Sequence, residues 1–230
     1  MAATALIVAG GVGRRMAGKV RKQYLLLNGT PIVGHPLRTF DRTDLVRTVV
    51  LVVPPADVDF VENHLLPSLA LSRHVQVVAG GGARQESVYN GLCHVPDEDQ
   101  LVVIHDGVRP FVPMENLRRC LQVAREKGAA ILAVPMVDTL KKANLKHEVT
   151  ATLPREGLWQ AQTPQVFQID LIRKAHRKAR AAGYRGTDDA DLVQKMGRPV
   201  WIVPGCRENI KITTRDDLIL SEALCNCCEL

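Results

Sequence analysis

The chain has 230 residues, of which 46% are hydrophobic and 23% charged, and these proportions predict one soluble globular domain. Its formal charge is +6, but residues 1–40 hold six basic residues and no acidic one, which predicts a local anion-binding site rather than an extended nucleic-acid surface. No apolar run reaches the roughly 18 residues of a membrane span, so we expect a protein of the cytoplasm.

Short runs rich in Val and Ile alternate with amphipathic stretches, and this pattern predicts a mostly parallel sheet covered by helices on both faces. The predicted strands are residues 5–9, 48–53, 75–79, 101–104, 130–134 and 200–203. The predicted helices are residues 31–40, 57–71, 84–92, 113–126, 169–182 and 188–195, with a last helix from Thr214. The expected architecture is a three-layer α/β sandwich in a single domain spanning residues 1–230.

The pattern changes between Asp138 and Phe167. Lys141 and Lys142 precede a polar stretch at residues 144–148 and then a strand-like run, which together predict a hairpin. We therefore expect residues 138–167 to form an arm that projects from the sheet. Because an isolated two-stranded arm is marginally stable in water, it is expected to pair with its copy in a homodimer.

The first predicted strand leads directly into a glycine-rich loop at residues 10–13, which Arg14 and Arg15 follow. Glycines let backbone N–H groups approach an anion closely, and these arginines and Lys22 add positive charge. Ligands of open α/β sheets bind at the carboxyl ends of the strands. The loop therefore predicts a phosphate-binding site.

Two familiar phosphate-binding motifs do not fit this loop. Met16 occupies the position where the dinucleotide fingerprint has its third small residue, and the first acidic residue is Asp41, too late to hold a ribose. Residues 13–20 have the spacing of a Walker A loop, but Val20 replaces the Ser or Thr that holds magnesium. An NAD-binding protein and a P-loop ATPase are therefore disfavoured.

Residues 9–16 and 22–24 resemble the signature of the sugar and polyol phosphate nucleotidyltransferases. Four later segments, in order and spacing, are similar to the 2-C-methyl-D-erythritol 4-phosphate cytidylyltransferase family of the non-mevalonate isoprenoid pathway. These segments are Gly80 to Val88, His105 to Pro110, Trp159 to Gln165 and Asn209 to Thr213. The resemblance extends from about Thr4 to Ala223.

The resemblance implies a three-layer α/β/α, Rossmann-like nucleotidyltransferase fold with a projecting β-arm. It implies transfer of a cytidylyl group from CTP to 2-C-methyl-D-erythritol 4-phosphate, giving 4-diphosphocytidyl-2-C-methyl-D-erythritol and pyrophosphate. It further implies Mg²⁺ on the triphosphate and a homodimer with shared active sites. Such a reaction needs positioning and charge neutralisation, and no catalytic base, because the attacking phosphate is already anionic.

Matching positions in the motifs carry implied roles. The implied catalytic residues, which would stabilise the transition state at the α-phosphorus, are Arg15 and Lys22. The implied nucleotide-binding residues are Ala9, Gly10, Gly11, Gly13, Gly81, Gly82, Ser87 and Asp106, of which Asp106 is also the implied metal ligand. The implied substrate-positioning residues are Arg109, Thr139, Arg155, Thr163 and Lys211. Of these, Thr139 and Arg155 would reach the neighbouring subunit's site.

The chain departs from the family pattern at two glycines. Gly82 stands where an acidic residue is common, which questions side-chain recognition of cytosine but leaves backbone recognition possible. Gly107 stands where alanine is common, and we expect it only to loosen its loop.

Several polar residues also have structural interpretations. His105, at the end of a predicted strand, is interpreted as a hydrogen-bonded part of the scaffold. Thr187, followed by Asp188, Asp189 and Asp191, is interpreted as a helix N-cap with acidic residues in the first turn, rather than as a metal cluster.

The sequence bears on three other functions. A ribitol-5-phosphate cytidylyltransferase has similar loops, and Arg155 with the pair Leu158 and Trp159 favours the isoprenoid enzyme. A nucleotide-sensing module on the same fold would not need both Arg15 and Lys22. A nucleic-acid binder is disfavoured because aromatic residues make up only 4% of the chain.

Overall fold

The computed structural model describes residues 3–11 and 20–227. Its largest element is a seven-stranded sheet. The strands are β1 (Ala3–Val8), β2 (Leu26–Leu27), β3 (Thr30–Pro31), β4 (Thr48–Val53), β5 (Val75–Ala79), β6 (Leu101–Asp106), β7 (Ala129–Pro135), β8 (Leu140–Ala143), β9 (Val149–Leu153), β10 (Trp159–Gln168) and β11 (Trp201–Pro204). The strand order of the sheet is β11-β7-β10-β6-β1-β4-β5. Strand β10 runs antiparallel to β6 and β7, and the other neighbouring pairs are parallel.

Helices cover both faces of this sheet. They are α1 (Gly34–Asp41), α2 (Val58–Phe60), α3 (Leu66–Leu69), α4 (Arg84–Leu92), α5 (Met114–Lys127), α6 (Ile169–Ala181), α7 (Asp189–Lys195) and α8 (Arg215–Cys227). The single helix predicted at residues 57–71 is interrupted, because a π-helical turn at Val61–Leu65 separates α2 from α3. Pro67, which lacks a backbone N–H, follows that turn. None of the helices in the described ranges is long and apolar enough to span a membrane.

The core lies in two layers, one on each face of the sheet. Successive residues of β1 point to opposite faces, so Ala5 and Ile7 join one layer while Leu6 and Val8 join the other. One layer includes side chains of α1 and α5, and the other includes side chains of α4, α6 and α7. This arrangement confirms the predicted three-layer fold with a mostly parallel sheet.

The boundaries predicted for the arm were wrong at their carboxyl end. Residues 140–153 form the antiparallel hairpin of β8 and β9, a separate two-stranded sheet with exposed side chains. Residues 159–168 instead form β10, an interior strand of the main sheet, where Val166 and Phe167 are fully buried. The interpretation of residues 138–167 as one arm missed this strand because its apolar run is short and follows several polar residues.

Candidate active site

A cavity of about 180 Å³ lies at the carboxyl ends of β1, β5 and β6. It is the position where open α/β sheets bind ligands. Among its lining residues are many of those the sequence predicts for the site: Ala9, Gly10, Gly11, Lys22, Gly81, Gly82, Ser87, Asp106 and Lys211. A larger cavity of about 610 Å³ beside α1 is lined, in the described part of the chain, by none of these.

The first glycine-rich loop is held by the side chain of Gln23. Gln23 is buried, and its Nε2 donates hydrogen bonds to the carbonyl oxygens of Ala9, at 2.8 Å, and Gly11, at 3.3 Å. These two carbonyl oxygens would repel a bound anion, but both already accept a hydrogen bond from Gln23. Sequence reasoning gave Gln23 no role. The predicted residues Gly13 and Arg15 lie outside the described residues.

The second glycine-rich loop packs on Ser87 of α4. The Ser87 Oγ accepts a hydrogen bond from the Gly81 N–H at 3.1 Å and donates one to the Ala83 carbonyl at 3.0 Å. A Cβ atom at Gly10 or Gly80 would lie only 3.0 or 2.9 Å from this Oγ. Glycine at both positions is what lets the two loops approach one serine.

The two positions that depart from the family pattern differ in their surroundings. The Gly82 N–H donates to Glu86 Oε2 at 2.9 Å, and a Cβ there would lie 3.4 Å from the same oxygen, so a side chain at residue 82 fits sterically. A Cβ at Gly107 would lie 3.0 Å from the Ala9 Cβ. The Gly107 N–H donates to the Val8 carbonyl at 2.9 Å, so this loop is tied to β1 rather than loosened.

Asp106, the last residue of β6, is a buried carboxylate surrounded by cations. Its Oδ1 lies 3.0 Å from Arg84 Nε, and its Oδ2 lies 2.7 Å from Lys211 Nζ and 4.0 Å from Arg109 Nε. Burial alone would raise the pKa of Asp106, but the charges of Arg84 and Lys211 outweigh it and hold the pKa well below its usual range. The carboxylate is therefore ionised at neutral pH.

Arg84 bridges Asp106 to a second buried carboxylate, that of Asp189. Its Nη1 lies 2.7 Å from Asp189 Oδ2, and Asp189 Oδ1 lies 3.0 Å from His176 Nε2. Burial lowers the pKa of Arg84, but the two carboxylates raise it above its usual value. Sequence reasoning assigned Arg84 no role. Its place as the first residue of α4, directly after the glycine-rich loop, is the signal that could have found it.

The helix cap predicted at Thr187 lies one residue later. The Asp188 carboxylate accepts a hydrogen bond from the Asp191 N–H at 2.9 Å, so Asp188 is the N-cap of α7. Thr187 instead donates its N–H to the Asp191 carboxylate. Within residues 3–11 and 20–227, no group of three His, Cys, Asp or Glu side chains is placed to hold a metal ion.

His105 and Thr163 form a buried support beneath Asp106. The His105 Nε2 lies 3.0 Å from the Arg109 carbonyl oxygen, and its Nδ1 lies 3.2 Å from the Thr163 Oγ1. That hydroxyl also accepts the Asp106 N–H at 3.0 Å. Burial lowers the pKa of His105 to about 4, so the imidazole is neutral, as expected of a scaffold residue. Arg109 is also buried, and its Nη1 donates to the Asn209 carbonyl.

The two predicted arm residues do not line this cavity. Thr139 and Arg155 are exposed, flank the hairpin of β8 and β9, and are not among the residues that line the cavity of their own chain. The Arg155 Nη1 donates to the Val137 carbonyl.

A family model and two relatives that match this chain have the same description. Residues 3–226 match the family model of IspD, 2-C-methyl-D-erythritol 4-phosphate cytidylyltransferase. Proteins of that name from Syntrophus aciditrophicus and Geotalea uraniireducens are 48% and 46% identical to this chain; the alignments cover 95% and 97% of this chain, and 94% and 96% of theirs.

Two solved structures are similar to this chain over nearly its whole length. The crystal structure of 4-diphosphocytidyl-2C-methyl-D-erythritol synthase from Anaerococcus prevotii has a TM-score of 0.85 at 30% identity, covering 98% of this chain and 96% of its own. The 2-C-methyl-D-erythritol 4-phosphate cytidylyltransferase of Thermus thermophilus has a TM-score of 0.80 at 32% identity, covering 98% and 100%.

Proposed function

Because the chain belongs to the 2-C-methyl-D-erythritol 4-phosphate cytidylyltransferase family, we propose that it transfers a cytidylyl group from CTP to 2-C-methyl-D-erythritol 4-phosphate. The products are 4-diphosphocytidyl-2-C-methyl-D-erythritol, a precursor in isoprenoid biosynthesis, and pyrophosphate. The observation that carries this proposal is the cavity itself. Two glycine-rich loops, the ammonium groups of Lys22 and Lys211, and one ionised carboxylate, Asp106, meet there.

The chemistry needs no proton abstraction by the protein. A phosphate oxygen of the polyol substrate attacks the α-phosphorus of CTP, and the bond from that phosphorus to the pyrophosphate breaks. Two anions must approach each other, so the protein contributes chiefly by orienting them and by placing positive charge where negative charge grows. A neutral His105, which supports the backbone at Asp106, is consistent with this account.

The first glycine-rich loop and its basic residues act on the triphosphate. Backbone N–H groups of the loop that begins at Gly10 bind its oxygens, while Ala9 lines the cavity with its own N–H bonded to the Val52 carbonyl. Gln23 supports this arrangement because its side chain donates hydrogen bonds to two carbonyl oxygens of the loop. Lys22 and Arg15 stabilise the transition state at the α-phosphorus. The Lys22 Nζ donates to the Ile212 carbonyl at 3.2 Å, which supports an ammonium group held at the cavity wall.

The second glycine-rich loop reads the base. Backbone groups of Gly81 and Gly82, together with Ser87, contact cytosine. The hydrogen bond of the Gly81 N–H to Ser87 supports a loop of fixed shape at this place. A base with the wrong edge leaves buried polar groups unpaired, and this penalty gives selectivity.

The donor set fits a magnesium ion that arrives with the triphosphate. Among the described residues that line the cavity, Asp106 supplies the carboxylate. Mg²⁺ is commonly held by one or two carboxylates together with substrate phosphates, and a carboxylate keeps lone pairs beyond those used by Arg84 and Lys211. When bound, the ion neutralises charge on the triphosphate. Asp106 would also help to hold the ribose.

The polyol phosphate is positioned by residues from two subunits. Lys211 and Arg109 supply charge from the same chain, and Thr163 acts through its hydrogen bond to the Asp106 backbone. Thr139 and Arg155 belong to the neighbouring subunit of a homodimer, and their exposure on the arm supports this role. Both substrates are multiply charged and do not cross a bilayer unaided, which supports a cytoplasmic location.

Pyrophosphate release measured with CTP and a panel of polyol phosphates tests the proposal. We expect turnover with 2-C-methyl-D-erythritol 4-phosphate and little with ribitol 5-phosphate, glycerol 3-phosphate or erythritol 4-phosphate. The Lys22→Ala variant, prepared identically, controls for contaminating enzymes. A preference for ribitol 5-phosphate would refute the proposed substrate, and turnover with no member of the panel would refute the proposed reaction.

A further inference from the structure

Arg84 is held between two buried carboxylates that belong to distant parts of the chain. Its Nε pairs with Asp106 on β6 at 3.0 Å, and its Nη1 pairs with Asp189 on α7 at 2.7 Å. Both carboxylates are at least 90% buried. A planar guanidinium that forms two charged contacts in different directions has little rotational freedom left, so Arg84 is fixed in place.

The two cations nearest to Asp106, Arg84 and Lys211, differ in how firmly they are held. Lys211 approaches Oδ2 with a flexible side chain that is 38% exposed. Arg84 approaches Oδ1 with a second carboxylate behind it and a side chain that is 30% exposed. A lysine on a flexible stem can exchange its partner for a substrate phosphate, whereas the guanidinium cannot leave Asp106 without also straining its contact to Asp189.

The far end of this network is anchored in the core. Asp189 is 1% exposed, and its second oxygen lies 3.0 Å from the Nε2 of His176, which is also 1% exposed. Burial raises the pKa of Asp189, but Arg84 and the hydrogen bond from His176 lower it, so this carboxylate stays charged. Breaking one member of a buried charge network leaves the others unpaired, so the position of Arg84 depends on Asp189.

We infer that Arg84 is a positioning residue for the nucleotide site: Asp189 and His176 fix its guanidinium, and the guanidinium fixes the Asp106 carboxylate that CTP and its metal ion meet. This inference rests on the proposed role of Asp106 toward CTP. It assigns a function in nucleotide binding to residues of α6 and α7 that do not line the cavity.

The test compares Asp189→Asn with a matched control, Asp99→Asn. Asp99 is also 1% exposed and also pairs with an arginine, Arg47, at 2.8 Å. It differs in position, because it precedes β6 and so lies near the amino end of that strand, whereas the cavity lies at the carboxyl end. Both variants replace a buried, ion-paired aspartate by its isostere. Calorimetric titration with CTP in magnesium buffer, steady-state kinetics and the melting temperature are measured for each.

For Asp189→Asn we expect the Kd for CTP and the kcat/KM for CTP to worsen by about tenfold or more, the size typical of lost outer-shell support. The KM for the polyol phosphate at saturating CTP should change by less than about twofold. Asp99→Asn should lose melting temperature and keep both CTP parameters. Equal CTP parameters in the two variants would overturn the inference, because the network would then be a structural support only.

If the Asp189→Asn variant does not fold, the Arg84→Lys variant tests the inference in its place. A lysine keeps the charge but cannot form both directed contacts, so a similar loss of CTP affinity is expected, and unchanged affinity would overturn the inference. A wild-type protein without pyrophosphate release from CTP would instead refute the proposed function. The calorimetric Kd keeps the two failures distinguishable.

Discussion

The buried imidazole of His105 makes the stability of the protein depend on pH in a defined range. Burial lowers the pKa of His105 from 6.5 to about 4, with smaller opposing effects from the Arg109 carbonyl and Asp106. The folded protein therefore resists protonation there, whereas the unfolded chain takes up the proton near its usual pKa. Since the unfolded state binds more protons between these values, the free energy of unfolding falls as the pH drops from about 6.5 to about 4.

The magnitude follows from the two pKa values. At about 1.36 kcal/mol per pKa unit, a change from 6.5 to about 4 corresponds to at most about 3.4 kcal/mol, of which about 2.5 kcal/mol is lost by about pH 4.5. This is a large share of the 5–15 kcal/mol by which domains are usually stable. Asp106 and Asp189 have lowered pKa values, so their contributions are lost only at lower pH, below about 4.

Urea denaturation followed by circular dichroism between about pH 7 and pH 4.5 measures this effect in the wild type and in His105→Gln. Glutamine keeps a donor for the Arg109 carbonyl but does not titrate. We expect the variant to be less stable at pH 7 and to lose about 2.5 kcal/mol less than the wild type on acidification. Other histidines, such as His35, whose pKa burial also lowers, contribute equally to both proteins. Parallel curves for the two proteins would refute the assignment.

Three further predictions concern the reaction. Lys22→Ala and Arg15→Ala should each lower kcat by about 100-fold, or about 3 kcal/mol, with little change in CTP affinity, and turnover near the wild-type value at saturating CTP would contradict the assigned role. CTP should have a higher kcat/KM than UTP, and comparable values would exclude a dedicated cytosine site at Gly81 and Gly82. Mixing Arg155→Ala with Lys22→Ala subunits should restore activity in hybrid dimers, since one site is then intact; verified hybrids without activity would show that Arg155 does not act across the interface.

The sheet was predictable where burial and sequence pattern agree. The strands β4 and β5 were predicted with their observed ends, because each is a run rich in Val that follows a basic or imidazole side chain, Arg47 or His74, and ends before Pro54 or Gly80. Strand β10 was missed because Gln162, Thr163 and Gln165 make it look like a loop. These side chains are buried and find partners on other elements, such as the Cys206 carbonyl and Asp188.

The candidate site was predictable in part for a similar reason. Residues next to the glycine-rich loops, such as Lys22 and Ser87, belong to motifs that can be read locally, and the structure brings them to one cavity. Arg84 and Asp189 are 105 positions apart in the sequence, and no local sequence pattern predicts a contact between residues so far apart. Asp189 was interpreted as a first-turn acidic residue, a role the sequence makes equally reasonable.

The hairpin of β8 and β9 lies beyond the end of the β7–β10 pair, and the same two chain segments run through both. Strands β7 and β10 are antiparallel neighbours, and a hydrogen bond from the Met136 N–H to the Leu158 carbonyl extends their ladder beyond the sheet. Residues 137–139 and 154–157 then separate this ladder from the hairpin at residues 140–153. The Arg155 side chain, bonded to the Val137 carbonyl, spans that interval.

Amide hydrogen exchange should therefore slow in steps along this ribbon, from its exposed tip at residues 144–148 to the buried middle of β10. The same continuity gives the ribbon a mechanical consequence. A pulling force on the tip is transmitted along the chain to β10. This strand contains Thr163, whose hydroxyl oxygen accepts a hydrogen bond from the Asp106 N–H. A molecule that binds the far end of the ribbon thus pulls on a strand that passes beside Asp106, and changes in hydrogen exchange at Asp106 would record that pull.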